Sequence, residues 1–262
     1  MNNDIMTIQS QRRLAEGTYE MVLQLPHAGE QGTRQRPPVL PGQFLNIRLE
    51  GFYLRRPISI CDWTEKTLTI VYKTVGRGTA KMSRMQQGDK LDVLWPLGNG
   101  YDLSSFAKAG SVSQSAARPL LIGGGAGVPP MYGLCRKLAE TGVQLKVILG
   151  FRNVADVFYK EMFEALASEV ILTTEDGSAG TRGFVTDAMD GILYDSLFAC
   201  GPEAMLQAVD EKAPAEVQGQ MSFERRMGCG FGACMGCSCR TKYGSKRICV
   251  EGPVLERSEI VW

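Results

Sequence analysis

The chain has 262 residues, which is long enough for two domains that each bury a core. Lys and Arg number 29 against 28 Asp and Glu, a formal net charge of +1, and the absence of a dominant sign argues against binding to nucleic acid or to a membrane surface. The first residues, MNNDIMTIQSQRR, have no apolar run behind a basic start, and no stretch of about 18 apolar residues occurs, so we expect no export signal, no membrane span and a cytoplasmic location.

About the first hundred residues predict a β domain. Apolar and polar positions alternate in short runs that Gly and Pro turns separate, as in 18–25, 43–50 and 66–73. This alternation is typical of an antiparallel barrel or sandwich. Ser, Ala and Lys are frequent between Tyr101 and Arg118 and strand alternation is absent there, so we place a domain boundary in this segment and expect a barrel over residues 1–103. A long surface loop within one domain is the alternative.

The pattern changes after this segment. Short apolar runs alternate with stretches of helical period, the runs at 119–124, 144–150, 170–174 and 195–201 and the stretches at 131–142, 159–169 and 202–211. Strands that alternate with helices predict a parallel sheet wrapped by crossover helices, so we expect a doubly wound α/β domain over 104–218. From about Gln220 the sheet pattern stops, and a small Cys- and Gly-rich segment follows over 219–262. A segment this short needs a staple to fold.

Five of the eight cysteines lie in this last segment. Cys229, Cys234 and Cys237 have the spacing C-x4-C-x2-C, and Cys249 follows. Plant-type 2Fe-2S sites share the spacing of the first three ligands and take a more distant fourth. Because no export signal is present, we expect a reducing compartment, where clustered thiols favour metal or redox use over disulfides. The sequence therefore predicts a 2Fe-2S cluster on these four cysteines.

Two points about this cluster stay open. A tetrahedral zinc site is the alternative, although such sites usually have paired C-x2-C knuckles or a His, and the only histidine is His27. Cys239 could replace Cys237 as a ligand; otherwise it is a small buried filler.

Glycines would let the backbone wrap tightly around the sulfurs with its amides towards them, at Gly228, Gly230, Gly232 and Gly236.

Two motifs of the predicted barrel suit a pyrophosphate. Arg56 opens the strand motif RPIS, and a guanidinium can form paired hydrogen bonds with a phosphate. The turn GRGT at 76–79 runs into a short helix, and the amides of Gly78 and Thr79 at its start form a second anion site. Each motif alone is common in barrels, but their order and spacing strengthen the prediction.

The predicted parallel sheet has a glycine turn after its first strand. The stretch 119–130, PLLIGGGAGVPP, resembles a dinucleotide turn, but a Pro stands where the third Gly of G-x-G-x-x-G would be. Acidic and glycine residues follow a later strand in EDGSAG, and CGP at 200–202 ends another. Parallel sheets bind ligands at the carboxyl ends of their strands, so these stretches are candidates for one site.

Together these motifs resemble the ferredoxin-NADP reductase superfamily. Within it, the chain closely resembles the electron-transfer subunits of dihydroorotate dehydrogenase type B over nearly its full length, and the cysteine loop after the nucleotide domain is the distinctive part. The resemblance implies a FAD in the barrel and a pyridine nucleotide on the parallel sheet. The matching stretches are RPIS at 56–59, VYK at 71–73, GRGT at 76–79, PLGNG at 96–100, GGGAGVPP at 123–130, EDGSAGTRGFVT at 175–186, CGP at 200–202 and the cysteine loop.

The resemblance also implies roles for individual residues. Arg56 would pair with the FAD phosphate and Ser59 would lie near the flavin ring. The full expected FAD-binding set is Arg56, Pro57, Ile58, Ser59, Val71, Tyr72, Lys73, Gly78 and Thr79. The set expected to hold the nicotinamide dinucleotide is Gly124, Gly125 and Gly127, with Cys200 close to where nicotinamide meets flavin. A buried structural cysteine is the alternative for Cys200.

The function that the resemblance implies is electron transfer. Electrons would pass from the FMN of a dihydroorotate dehydrogenase catalytic subunit, through the 2Fe-2S cluster and FAD, to NAD, as dihydroorotate is oxidised to orotate in pyrimidine biosynthesis. The family implies a heterotetramer of two copies of each subunit. The chain itself has no convincing substrate base, so no catalytic residue is assigned and the dihydroorotate chemistry falls to the partner.

Other functions fit parts of the sequence. A small subunit of a sulfide dehydrogenase or of an NADH-dependent ferredoxin-NADP reductase would keep the cofactors, but such relatives can use an Asp as a cluster ligand, whereas all four positions here can be Cys. A non-enzymatic scaffold with a zinc-stapled tail would need no phosphate-binding turns. The residues alone do not separate NAD from NADP, because no acidic residue ends the second strand of the nucleotide domain and Arg152 could meet a 2′-phosphate.

Overall fold

The computed structural model describes residues 1–26, 37–106 and 117–262, so His27 and most of the predicted boundary segment lie outside the described residues. The N-terminal part is an antiparallel barrel of six strands, namely β1 (Asn2–Ala15), β2 (Thr18–Gln24), β3 (Phe44–Arg48), β4 (Arg56–Trp63), β5 (Thr67–Lys73) and β6 (Lys90–Leu97). The barrel is closed in the order β1-β2-β5-β4-β3-β6. Of the two predicted β architectures, the barrel is confirmed.

The barrel core follows from the alternation in the sequence. Met21 and Leu23 of β2 pair with Ile70 and Leu68 of β5, and all four side chains are fully buried. Successive strand residues point to opposite faces, so a period of two places every second side chain inside the barrel. Helix α1 (Arg77–Met82) follows β5 and buries Met82 in the same core.

The second part is a sheet of seven strands. They are β7 (Pro119–Gly124), β8 (Lys146–Phe151), β9 (Glu169–Thr174), β10 (Thr181–Arg182), β11 (Ser196–Cys200), β12 (Gln218–Ser222) and β15 (Val254–Glu256). The spatial order is β10-β9-β8-β7-β11-β12-β15. Every pairing is parallel except that of β12 with β15, which is antiparallel.

Helices cover both faces of this sheet, as a doubly wound fold requires. Leu121 of β7 belongs to the apolar core that helix α2 (Val128–Ala139) covers, whereas Leu120 belongs to the core on the side of helix α4 (Glu203–Lys212). Helix α3 (Lys160–Glu164) is shorter than the predicted stretch, because the chain leaves the helix and the Ser168 N–H donates a hydrogen bond of 2.9 Å to the Leu145 carbonyl instead. In the described part of the chain, no helix combines the length and apolar character needed to cross a membrane.

The C-terminal segment is only partly separate from the sheet. It contains the hairpin β13 (Ser238–Thr241) and β14 (Gly244–Arg247), and the short helix α5 (Ile248–Glu251). The expectation that the sheet pattern stops at about Gln220 is wrong, because β12 runs to Ser222 and β15 returns to pair with it. The expected domain limits, 1–103, 104–218 and 219–262, stay predictions. Strand β12 crosses the boundary between the second and the third.

Candidate functional site

Arg56 and the GRGT turn lie together at one end of the barrel. A Cβ added at Gly78 would lie 2.2 Å from Arg56 Nε, so only a glycine lets the guanidinium approach the turn this closely. The Arg56 guanidinium stacks on the Phe52 ring, with Cζ 4.8 Å from the ring centroid. Arg56 Nη1 also donates a hydrogen bond to the Leu54 carbonyl. A fixed cation thus stands at the start of a helix, an arrangement that suits a diphosphate.

The other residues expected around FAD fall into two groups. The hydroxyl of Thr79 accepts a hydrogen bond from the Val75 N–H at 3.1 Å, so this side chain shapes the turn itself. Pro57, Ile58 and Ser59 continue β4 beside β3 and are half-buried, which leaves part of each side chain accessible. Their contact with a flavin stays a prediction.

A cavity of about 530 Å³ opens between the barrel and the carboxyl ends of the parallel strands. This volume is within the range of pockets that hold cofactors and small ligands. The barrel contributes Val71, Tyr72 and Lys73 from β5, and the sheet contributes Gly124 and Gly125 from the turn after β7. The structure therefore brings the predicted flavin strand and the predicted dinucleotide turn to one place. Sequence reasoning missed other lining residues, among them Thr18, Asp156, Phe184 and Met205.

The start of α2 packs closely against the end of β11. A Cβ at Gly127 would lie 2.0 Å from the Cys200 carbonyl oxygen, so this position requires glycine although the third Gly of the usual motif is a Pro. Cys200 is 3% exposed and does not line the cavity, whereas Pro202 does. Burial raises the pKa of the Cys200 thiol to about 12, so the thiol is neutral. Both roles weighed for Cys200 are compatible with this position.

Polar contacts join the barrel to the parallel-sheet part beside the cavity. Lys73 Nζ of β5 lies 3.6 Å from Asp156 Oδ1, and Arg152 Nε, just after β8, lies 2.8 Å from Asp156 Oδ2. Arg136 of α2 forms an ion pair of 2.6 Å with Asp62 of β4. The pairs Lys73–Asp156 and Arg136–Asp62 connect the barrel to the parallel-sheet part, and only the three-dimensional fold reveals them.

The four predicted cluster ligands form two pairs. The Cys229 N–H donates to Cys234 Sγ at 3.4 Å, and the Cys249 N–H donates to Cys237 Sγ at 3.4 Å. Within the described residues, no three His, Cys, Asp or Glu side chains converge closely enough to hold a single metal ion. Two thiol pairs fit a centre with two irons, each bound by two thiolates. The donor set thus fits a 2Fe-2S cluster.

The loop around these sulfurs has the conformation that its glycines permit. Gly230 and Gly232 have φ values of 79° and 90°, a region that residues with a Cβ rarely adopt. Burial opposes ionisation of Cys229, but the backbone N–H groups of nearby residues outweigh it and lower the pKa of this thiol to about 6. Cys239 stands on β13, where it is 8% exposed in the same apolar core as Cys237 and Cys249, so its role as filler or ligand stays a prediction.

The cysteine loop is seated on the barrel. Asn46 of β3 is 1% exposed, and its Nδ2 donates a hydrogen bond of 3.1 Å to the Cys229 carbonyl. Asn99 of the PLGNG motif holds the other end of the segment, with its N–H 2.6 Å from the Gly252 carbonyl and its Oδ1 3.0 Å from the Val254 N–H. The loop is therefore fixed relative to the barrel strand β3, which pairs with the RPIS strand β4.

The barrel, the parallel sheet with its glycine cradle and the four-cysteine loop define an oxidoreductase of the ferredoxin-reductase type with an added iron-sulfur segment. Residues 224–261 match the iron-sulfur cluster binding domain of dihydroorotate dehydrogenase B, and residues 121–211 match the oxidoreductase NAD-binding domain. The dihydroorotate dehydrogenase B (NAD(+)) electron transfer subunit of Bacillus caldolyticus is 42% identical over 266 residues, covering 98% of this chain and 97% of that protein. The subunit of Bacillus cereus strain B4264 is 41% identical over 273 residues, 100% of this chain and 99% of that one. The chain belongs to this family of electron transfer subunits.

Solved structures show the same fold. The structure of an NADH-dependent reduced ferredoxin-NADP oxidoreductase superposes with a TM-score of 0.83 at 29% identity and covers 100% of this chain and 91% of that one. A ferredoxin NADP+ reductase from Neisseria gonorrhoeae with bound FAD and NADP gives a TM-score of 0.62 at 16% identity over 81% of this chain and 90% of that one, a likeness of fold alone.

Proposed function

We propose that this chain carries electrons between an FMN-containing dihydroorotate dehydrogenase catalytic subunit and NAD, by way of a 2Fe-2S cluster and a FAD, as dihydroorotate is oxidised to orotate. One observation carries the proposal: two thiol pairs sit in a loop fixed to the barrel whose strand β5 faces the nucleotide turn across one cavity. Identity of about 42% over nearly the whole chain to subunits of that name supports the same assignment. The proposal includes a heterotetramer of two copies of each subunit.

When bound, a flavin exchanges a hydride with a pyridine nucleotide and single electrons with an iron-sulfur cluster, which is the conversion between two-electron and one-electron transfer that this function needs. The chain supplies binding and orientation. Arg56 would hold the FAD diphosphate against the turn of Gly78 and Thr79. Two strands would border the flavin ring, β4 with Pro57, Ile58 and Ser59, and β5 with residues 71–73. Gly124, Gly125 and Gly127 would admit the dinucleotide backbone next to Cys200. The cluster ligands would be Cys229, Cys234, Cys237 and Cys249.

The proposal assigns no substrate base to this chain. Lys73 and Arg152 both pair with Asp156, the remaining charged residue of the lining is the exposed Glu175, and the chain's single histidine is His27. We therefore assign no catalytic residue here and place dihydroorotate chemistry on the partner. All eight cysteines are free, consistent with a reducing compartment, and the proposal places the complex in the cytoplasm.

The experiment is reconstitution from the two subunits. Dihydroorotate-dependent reduction of NAD is measured with this chain alone, with the FMN-containing catalytic subunit alone and with both. The proposal expects rapid NAD reduction only from the mixture, together with FAD and two irons per copy of this chain. An inert mixture that contains both cofactors would contradict the dihydroorotate assignment.

A second candidate is the equivalent subunit of an NADH-dependent ferredoxin-NADP oxidoreductase. The full-length superposition with a TM-score of 0.83 favours it. The lower identity, 29% against 42%, makes it the second choice. An inert dihydroorotate mixture with rapid NADH-dependent electron transfer from reduced ferredoxin to NADP would support it.

A further inference from the structure

We propose that Asp156 is a specificity-determining residue that makes the cavity select a pyridine nucleotide with a free ribose 2′-hydroxyl. The Asp156 carboxylate offsets the charges of Arg152 and Lys73, the two cations that a ribose 2′-phosphate could meet in the cavity. This inference rests on the proposed function, because it takes the cavity to be the pyridine-nucleotide site.

The position of Arg152 would by itself favour a phosphorylated ribose. Arg152 directly follows β8, the neighbour of the strand β7 that leads into the glycine turn. In dinucleotide-binding sheets the adenosine ribose lies at the end of this neighbouring strand, where an acidic residue bonds the 2′-hydroxyl or an Arg accommodates the 2′-phosphate. Taken alone, Arg152 therefore predicts NADP.

In the structure, Asp156 offsets the charge of Arg152, whose side chain is 66% exposed. Its Nε lies 2.8 Å from Asp156 Oδ2, while Lys73 Nζ lies 3.6 Å from the other carboxylate oxygen. The Asp156 side chain is 8% exposed, and Asn153 Oδ1 accepts a hydrogen bond of 3.2 Å from the Asp156 N–H, which fixes the residue in place. The Arg152 hydrogen bond and the Lys73 charge outweigh burial and hold the pKa of Asp156 below its usual range, so the carboxylate is charged at neutral pH.

The surrounding charges reinforce the effect. Lys73 and Arg152 are the cations among the described residues that line the cavity, and Glu175 lines it with Asp156. The pKa of Arg152 is raised first by its hydrogen bond to Asp156 and then by the charges of Glu175 and Glu16. The lining thus carries two cations and two carboxylates and has no net positive charge. A 2′-phosphate dianion would find no net positive charge there, whereas a 2′-hydroxyl can donate a hydrogen bond to a carboxylate.

The test is equilibrium binding of NAD and NADP, by isothermal titration calorimetry, to the full chain with its cofactors bound and oxidised. We expect Asp156→Asn, which keeps the side-chain shape, to lower the Kd for NADP about tenfold and to change the Kd for NAD less than about threefold. Glu164→Gln is the matched control, because it removes one carboxylate from α3, outside the cavity, where Glu164 pairs with Lys160. It should leave both values unchanged.

An unchanged NADP affinity in Asp156→Asn, or an equal loss of affinity for both nucleotides, would overturn the inference. Arg152→Ala gives a second arm that does not depend on how Asp156→Asn folds. Because Asp156 already offsets the Arg152 charge, removal of Arg152 should leave the NADP affinity within about twofold of wild type, whereas a tenfold loss would show that Arg152 binds the 2′-phosphate despite Asp156 and would overturn the proposal. In the double variant, the gain for NADP should shrink. Wild-type protein that binds neither nucleotide would contradict the proposed function instead.

Discussion

Replacing Gly78 by Ala tests how the barrel holds a diphosphate. The new Cβ would lie 2.2 Å from Arg56 Nε and 2.8 Å from Nη2, whereas ordinary contact begins near 3.4 Å. Arg56 is the far end of a flexible side chain, so the guanidinium should move by about 1 Å or more while the backbone stays in place. The expected loss is therefore one of ligand binding and not of folding.

The size of the loss follows from the hydrogen bonds that depend on Arg56. A hydrogen bond to a charged group contributes about 1.5–3 kcal/mol, so the Kd for FAD should rise about 10- to 100-fold. The apoprotein is titrated with FAD and flavin fluorescence is followed, with thermal unfolding of the apoprotein as the check on folding. The apoprotein Tm should change little.

Gly76→Ala is the matched control on the same turn. Nothing lies within 4 Å of a Cβ at this position, and φ is −169°, an extended conformation that any residue adopts. The Kd for FAD should change less than about twofold. In an Arg56→Ala background, Gly78→Ala should add almost no further loss, because the group that it displaces is gone. Equal losses in the two glycine variants, or additive losses with Arg56→Ala, would refute the reasoning.

Three further predictions concern other contacts. Replacing Asn46 by Leu removes the hydrogen-bond donor to the Cys229 carbonyl, so the visible absorbance of the cluster should be lost several-fold faster in air. An unchanged rate would show that this hydrogen bond does not stabilise the cluster loop. Arg257→Ala removes hydrogen bonds to four carbonyls at and beyond the end of α4 and a pairing with Asp210. It should lower the free energy of unfolding by about 3 kcal/mol in urea denaturation, whereas a loss near zero would contradict a stabilising role for Arg257. Arg152 lowers the pKa of Asp156 in the folded protein, so the stability that this carboxylate adds is present above its unfolded pKa of about 3.9 and is lost as pH falls through the folded value. The free energies of unfolding of wild type and Asp156→Asn in urea should therefore converge at acidic pH. A difference that stays constant with pH would contradict this.

Local patterns in the sequence were sufficient where burial alone sets the structure. The alternation in 66–73 predicted β5, and the apolar run 119–124 predicted β7, because each strand buries one face or both. The strand β12 was missed at its end because it reads QGQMS and lacks an apolar run. Its buried Gln220 is satisfied by the backbone of Asp102, with hydrogen bonds of 2.8 and 3.2 Å, a long-range pairing that no local pattern shows.

The candidate site divides in the same way. The spacing of the cysteines and the glycine-rich turns were visible in the sequence, because each ligand set lies mostly within one loop. Asp156 and Asn46 were not, because each acts on a residue distant in sequence: Asp156 on Lys73, and Asn46 on the carbonyl of Cys229. The only signal for Asp156 was its place four residues after Arg152, a spacing that brings two side chains together within one turn.

The most direct test of the electron route uses one variant and two assays. Cys234 is exposed at the tip of its loop, so Cys234→Ser should remove a cluster ligand while leaving the barrel and the nucleotide cavity intact. In the complex with the catalytic subunit, dihydroorotate-dependent reduction of NAD and NADH-dependent reduction of a soluble dye are measured side by side. The account predicts that the variant loses the first activity at least about 100-fold and keeps the second, because the dye takes electrons without the cluster. Dihydroorotate-dependent NAD reduction that survives the loss of the cluster would contradict the proposed route.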